Sequence, residues 1–186
     1  MTAMPTEALG LPRGRDLTRD DLDAMPDDGY RYELIDGILI VSPAPRRVHQ
    51  RAVGNLYLAL RQSCPADLEV LLAPFDVALS DDTVMQPDLL VASRSATTER
   101  DLPSAPLLAI EVLSPSTRSF DLLLKKDRLR RAGCPHYWVV DPGEPSILAW
   151  ELADGEYRET AHVIGDDTFT VEQPLPLSVV PAELGN

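Results

Sequence analysis

A mixed α/β domain is what this sequence predicts, and three observations carry the prediction. Asp36-Gly37 lies between the apolar-rich runs 30–35 and 38–42, which marks a tight β-hairpin. Residues 107–113, Leu-Leu-Ala-Ile-Glu-Val-Leu, form a near-continuous apolar run, the pattern of a strand covered on both faces. A helical stretch over 118–132 separates that run from the apolar, aromatic run 136–140, a spacing sufficient for a right-handed parallel crossover. Together they predict an α/β (α+β) fold with a mixed central sheet flanked by helices. An N-terminal hairpin and C-terminal strands extend it.

The other elements follow in order. Residues 1–16 contain Pro and Gly without a period and are expected to be a mobile tail, so residues 17–186 form the domain. Thr18 can cap a short helix through Met25, with Asp20 and Asp21 in its first turn. Pro43 and Pro45 end the hairpin. Residues 48–62 place Val53, Leu56, Tyr57 and Leu60 near one helical face. Strands are expected over 68–73, 75–79 and 84–92, with a turn at Asp81-Asp82 and a polar loop over 93–105. Ser114-Pro115-Ser116 breaks the chain before the next helix, and Gly133 can close that helix in a left-handed cap. Runs at 147–151, 157–163 and 169–171 suggest a meander, and the segment from Pro174 is Pro-rich.

A length of 186 residues suits one domain with a substantial core, and 44% apolar with 25% charged residues is ordinary for a globular protein. No apolar run is long enough for a transmembrane helix, and the N-terminus lacks signal-peptide order, so a cytoplasmic protein is expected. Cys64 and Cys134 fit no metal-ligand spacing and read as reduced thiols. The formal net charge of −13 on its face argues against a nucleic-acid binder. The charge is uneven, however. Arg46, Arg47, Arg51 and Arg61 fall in an acid-free stretch, and Arg118, Lys125, Lys126, Arg128, Arg130 and Arg131 cluster later. Two solvated helix faces or a basic face on an acidic body are both consistent with this.

The chemistry concentrates between Gln86 and Lys126. Asp88 follows Pro87, which lacks an N–H and tends to sit at strand starts, edges or bulges. Glu111 interrupts the apolar run 107–113. Buried carboxylates are costly unless paired or bound to a cation. Two such acids in consecutive strands, followed by a helical lysine, suggest a metal-assisted phosphoryl-transfer site. Lys125 and Lys126 flank the inward helical stripe on opposite sides, and helical geometry does not choose between them. Asp121 can pair with Lys125. Glu33 is either a further polar group of the site or a solvent-facing strand residue. His49 reads as a capping residue or an accessory group. Ser114 has no nucleophile-elbow context and fits a turn.

These residues resemble a known family. Tyr32-Glu33-Leu34-Ile35-Asp36-Gly37, His49 at a helix start, Pro74-Phe75-Asp76-Val77, Gln86-Pro87-Asp88-Leu89, Glu111-Val112-Leu113-Ser114-Pro115-Ser116-Thr117, Asp121 with Lys125, and Tyr137-Trp138-Val139-Val140-Asp141-Pro142 occur in that order. The ordered set, spanning about residues 17 to 157, looks like the Uma-type restriction endonuclease family, a bacterial branch of the PD-(D/E)XK nucleases. The resemblance implies a restriction-endonuclease-like fold with Asp88, Glu111, Lys125 and Glu33 as catalytic residues. It implies Mg²⁺ (or Mn²⁺) held by Asp88, Glu111 and the Val112 carbonyl. His49, Ser114 and Asp121 are possible accessory residues. The superfamily lysine falls at position 113, which here is Leu113. The Asp-x-x-x-Lys pattern then selects Lys125 over Lys126 as its replacement.

The expected function is a metal-dependent DNA endonuclease that contacts phosphates through Arg46, Arg47, Arg51, Arg118 and Lys126. The expected partners are DNA and a second copy in a homodimer, with no membrane. The alternative is a catalytically inactive nuclease-fold protein that binds nucleic acid, regulates, or dimerises through the aromatic strand at Tyr137-Trp138. A carboxylate-pair glycosidase fits poorly, given the adjacent lysine and only 5% aromatic residues for sugar stacking.

Overall fold

The structure is a computed structural model that describes residues 11–12, 14–114, 118 and 120–186. Two larger sheets share the strands. One has five strands: β1 (Arg31–Ile35), β2 (Ile38–Ser42), β4 (Asp76–Ser80), β5 (Thr83–Met85) and β7 (Asp101–Leu102), in the order β2-β1-β5-β4-β7. The other has six: β3 (Leu68–Leu72), β6 (Leu89–Ser93), β8 (Leu108–Val112), β9 (His136–Asp141), β10 (Ser146–Ala153) and β11 (Glu156–Ile164), in the order β11-β10-β9-β8-β6-β3. A small pair, β12 (Phe169–Val171) and β13 (Leu177–Val179), completes the strands. The helices are α1 (Arg19–Asp23), α2 (Arg47–Ser63), α3 (Lys126–Arg131) and α4 (Pro181–Leu184), with a π-helical segment, Phe120–Lys125, running directly into α3. None is long and apolar enough to cross a membrane.

The expected mixed sheet is present: β8 pairs parallel with β9 and antiparallel with β6. All five residues of β8 are buried, so its unbroken apolar run reflects cover on both faces. On one face, Ala52, Leu56 and Leu60 of α2 pack with Val91, Leu108, Ile110, Trp138 and Val140. Phe169, Leu177 and Leu184 close that layer, so the Pro-rich C-terminal segment contributes a strand and a short helix to the core. On the other face, Ala109, Tyr137, Val139 and Trp150 pack with Leu129 of α3 and with Cys134. Tyr137 and Trp138 lie in the interior on a strand paired along both edges, so they offer no dimer surface.

The hairpin turn forms as its sequence requires. Asp36 and Gly37 both have positive φ, 53° and 70°, the conformation of a tight two-residue turn. A Cβ on Gly37 would come within 3.2 Å of the Asp16 backbone, so close approach also demands glycine there. That contact bears on the expected tail. Residues 1–10 and 13 lie outside the described residues, but Leu17 N–H donates to Gly37 O at 3.0 Å, and Leu11 and Leu17 pack beside Leu34 and Val84. The end of the expected tail, at Leu11 and Asp16, therefore packs against the hairpin.

The expected strand 84–92 is two strands in two different sheets. Pro87 supplies no ladder N–H, and the Gln86 N–H donates to Glu33 Oε1 at 2.8 Å instead of to a neighbouring strand. The chain thus leaves one sheet at Met85 and enters the other at Leu89, with Asp88 at the crossing. The loop expected over 93–105 contains the two-residue β7, which pairs parallel with β4. Of the expected breaker Ser114-Pro115-Ser116, Pro115 and Ser116 lie outside the described residues.

Both cysteines are free thiols. Burial pushes the Cys134 thiol from 9.0 up to about 11. A raised pKa in the folded chain gives stability that is whole below pH 9 and is lost as pH climbs through about 11. Urea titrations at pH 8 and pH 10 should show Cys134→Ala losing about 1 kcal/mol less than the wild type over that interval. Equal losses in the two proteins would contradict this.

Candidate active site

Glu33 and Arg31 are two residues apart on β1 and therefore share a face. Ile35 continues that face into the core made with Met85, Ala109 and Leu113, so the polar pair points between the two sheets. Asp88 and Glu111 arrive from the other sheet. Leu89 opposes Ile110 in the β6–β8 ladder, and extending that antiparallel register by one position sets Asp88 opposite Glu111. The Val112 N–H confirms the approach by donating to Asp88 Oδ2 at 2.9 Å.

The π-helical segment decides between the two lysines. Asp121, Lys125 and Leu129 are the buried positions of this stretch, whereas Leu122 is only half-buried. The inward stripe is thus led by a charged pair rather than by leucine. Lys125 is 2% exposed and its Nζ lies 2.8 Å from Glu33 Oε1, 3.1 Å from Glu111 Oε1 and 3.7 Å from Asp121 Oδ1. Lys126 points elsewhere, with its Nζ 3.5 Å from the centroid of the Trp150 ring. Wide π turns recur at functional sites. Here the segment places an ammonium group within a carboxylate cluster.

A second layer of partners surrounds Asp88. Arg31 Nη1 donates to Asp88 Oδ1 at 2.8 Å, and Arg31 Nε lies 3.6 Å from Glu33 Oε2. His49 Nε2 lies 3.0 Å from Asp88 Oδ2. Burial works to raise the Asp88 carboxyl, but the His49 hydrogen bond and the Arg31, His49 and Lys125 charges outweigh it and hold it well below the usual range. Glu111 goes the other way. Burial raises its carboxyl well above the usual range, and the charges of Asp121, Asp88 and Glu33 add to this against the pull of Lys125. Burial works to lower Lys125, and the Glu111, Glu33 and Asp121 carboxylates more than reverse it, so the ammonium keeps its proton.

Four carboxylates, Glu33, Asp88, Glu111 and Asp121, therefore face two fixed cations, Lys125 and Arg31. Ionised together they leave an excess of two negative charges. Glu111 Oε2 is buried with no hydrogen-bond partner among the described residues. An unpartnered carboxylate oxygen opposite a second carboxylate, in a cluster short of positive charge, suits a hard divalent cation that keeps most of its waters. Among the described residues no three His, Cys, Asp or Glu side chains converge as a ready-made metal cage.

A cavity of about 830 Å³ opens over this cluster. Arg31, Arg46, His49, Gln86, Asp88 and Ser114 are among its lining residues, whereas Glu33, Glu111 and Lys125 lie behind them. His49 Nδ1 and Gln86 Oε1 are buried there without a hydrogen-bond partner among the described residues. Ser114 lies at the cavity wall, half-buried.

Of the residues expected to touch nucleic acid, only Arg46 lines the cavity, at the N-terminal end of α2 with the exposed Arg47 and Arg51 beyond it. The later basic stretch is largely neutralised. Arg118 pairs with Asp141, Arg130 with Asp127 and Glu156, and Arg131 with Asp127. Arg118 pairs with Asp141 and Lys126 lies over the Trp150 ring, and neither lines the cavity.

Sequence reasoning did not single out Arg31 or the backing of the helix by Tyr137, whose O–H donates to the Asp121 carbonyl at 2.6 Å. Arg31 was legible as the same-face neighbour of Glu33. His49 was legible as the head of the buried stripe His49, Ala52, Leu56, Leu60 in α2.

A family model, Uma2, described as "Putative restriction endonuclease", matches residues 19–183. In fold the chain is similar to the crystal structure of "a putative nuclease belonging to DUF820" from Anabaena variabilis ATCC 29413. The TM-score is 0.72 at 20% identity, with 91% of this chain and 97% of that chain covered, a likeness that speaks to the fold alone. Among curated proteins there is no match.

Proposed function

This chain belongs to the family so described, Uma2, and from that membership and the geometry at Asp88 we propose a nuclease, specifically a divalent-metal-dependent endodeoxyribonuclease. The observation that carries the metal dependence is the buried Oε2 of Glu111, without a hydrogen-bond partner among the described residues and opposite Asp88, in a cluster where four carboxylates face Lys125 and Arg31.

Asp88 and Glu111 would hold the cation, with the Val112 carbonyl as a third donor. Mg²⁺ or Mn²⁺ bound there supplies Lewis-acid polarisation of a phosphate and a water of lowered pKa. The protein does the positioning. Lys125 fixes Glu33 and Glu111 by ion pairs, so both carboxylates keep their orientation without a ligand. Asp88 accepts the Val112 N–H, which ties its carboxylate to the end of β8. His49 lines the cavity, is oriented through Nε2 by Asp88, and keeps Nδ1 without a hydrogen-bond partner among the described residues, so that nitrogen is available for a water or a phosphate oxygen. Arg46, Arg47 and Arg51 supply local positive charge on an acidic protein, so DNA binding should weaken steeply with salt.

The test is cleavage of supercoiled plasmid. Nicking is expected with Mg²⁺ or Mn²⁺, absent with EDTA, and lost in Asp88→Asn and Glu111→Gln. Nicking in EDTA, or full activity in both variants, would contradict the proposal. One observation favours a second reading, a nuclease-fold protein that binds nucleic acid without cutting it: both Asp88 oxygens already have protein partners. Such a protein would bind DNA and leave the plasmid intact under every metal.

A further inference from the structure

We propose that Arg31 is the residue that grips the phosphodiester in the cleft, the task that a PD-(D/E)XK resemblance would give to a lysine. The inference rests on the nuclease reading above and assigns the substrate contact within that site.

Accessibility argues against Lys125. Its Nζ is enclosed by Glu33, Glu111 and Asp121, its side chain is 2% exposed, and it does not line the cavity. A phosphate entering the cavity meets other groups. Among the described residues that line it, the only lysines or arginines are Arg31 and Arg46. Arg46 stands exposed at the start of α2, whereas Arg31 touches Asp88 itself. The Arg31 side chain is 22% exposed, partway between the buried cluster and the open cavity.

The geometry of the guanidinium fits the task. Nη1 is bound to Asp88 Oδ1 and Nε lies near Glu33, while Nη2 makes no hydrogen bond among the described residues. A planar fork with a free edge at a cavity wall can take a phosphate bidentately, which an ammonium group cannot do. The Asp88 contact also makes the arginine exchangeable. Were Asp88 to hold a divalent cation, its grip on the guanidinium would loosen, and a phosphate oxygen would be able to replace the carboxylate as the partner of Arg31.

The experiment is fluorescence anisotropy of a fluorescein-labelled 20-base-pair duplex in EDTA, where cleavage does not interfere. Asp88→Asn frees Arg31 from its carboxylate and is the reference. Arg31→Met/Asp88→Asn removes the ion pair as a unit, so no newly unpaired buried charge threatens folding. The double variant should bind at least about tenfold more weakly than Asp88→Asn. Its salt-dependence slope should fall by about 1, the signature of one lost phosphate contact. Arg31→Lys/Asp88→Asn should lie between the two. Equal affinities and slopes in Asp88→Asn and the Met double variant, or no duplex binding by Asp88→Asn, would overturn the assignment. Plasmid nicking by the wild type separates the two claims. Arg31-dependent binding without nicking removes the nuclease reading and keeps the phosphate contact, and nicking without Arg31-dependent binding does the reverse.

Discussion

Lys125→Met is expected to destabilise the protein by about 3–5 kcal/mol in urea titration at pH 7, a size typical of removing one partner from a buried ion pair. The ammonium faces Glu33, Glu111 and Asp121, and all four side chains are almost fully enclosed. Methionine fills a similar volume but leaves the carboxylates repelling one another in a poorly solvated space. Adding Glu111→Gln to Lys125→Met should recover part of the loss, because one of the stranded charges is then gone. Lys126→Met is the control. That lysine rests on the Trp150 ring, a contact worth about 0.5–1 kcal/mol. Equal costs at positions 125 and 126 would show that the π-helical segment does not bury the lysine assigned to the cluster.

Glu111→Gln should separate activity from stability. Cleavage should fall more than about a hundredfold, since losing a metal ligand should cost at least as much as losing an outer-shell partner. The fold should not suffer in the same measure. The Glu111 carboxyl is fully buried, its Oε2 has no partner among the described residues, and burial already pushes it toward its neutral form. An uncharged isostere relieves that cost, so the melting temperature measured without metal should stay level or rise. Such a gain at the expense of activity is the expected mark of a strained functional site. A variant that unfolds while its residual folded fraction still cuts DNA would make Glu111 a structural residue.

Much of this site was legible in the sequence because strand patterns carry short-range information. Glu111 stood out as an acid within an apolar run, and the run is buried on both faces. Asp36-Gly37 fixed the hairpin that carries Glu33. Pro87 marked Asp88, although the expected continuous strand hid the crossing between sheets that exposes this aspartate to both. What stayed illegible depends on partners distant in the chain. Lys125 and Lys126 are equivalent on a regular α-helix, and the π-helical segment that distinguishes them has no simple sequence mark. His49 and Asp88 meet across 39 positions, and Arg31 and Asp88 across 57. The basic stretch from Arg118 to Arg131 suggested a phosphate-binding face, but acids from other elements neutralise much of it. Local charge density does not reveal such pairing.

The most direct test of the central claim is isothermal titration of the wild type, Asp88→Asn, Glu111→Gln and the double variant with Mn²⁺, without DNA. The wild type should bind one equivalent, each single variant should bind more than about tenfold more weakly, and the double variant should show no binding. Identical isotherms for the wild type and the double variant, or a wild type that takes up no Mn²⁺, would contradict a divalent-cation site at these two carboxylates.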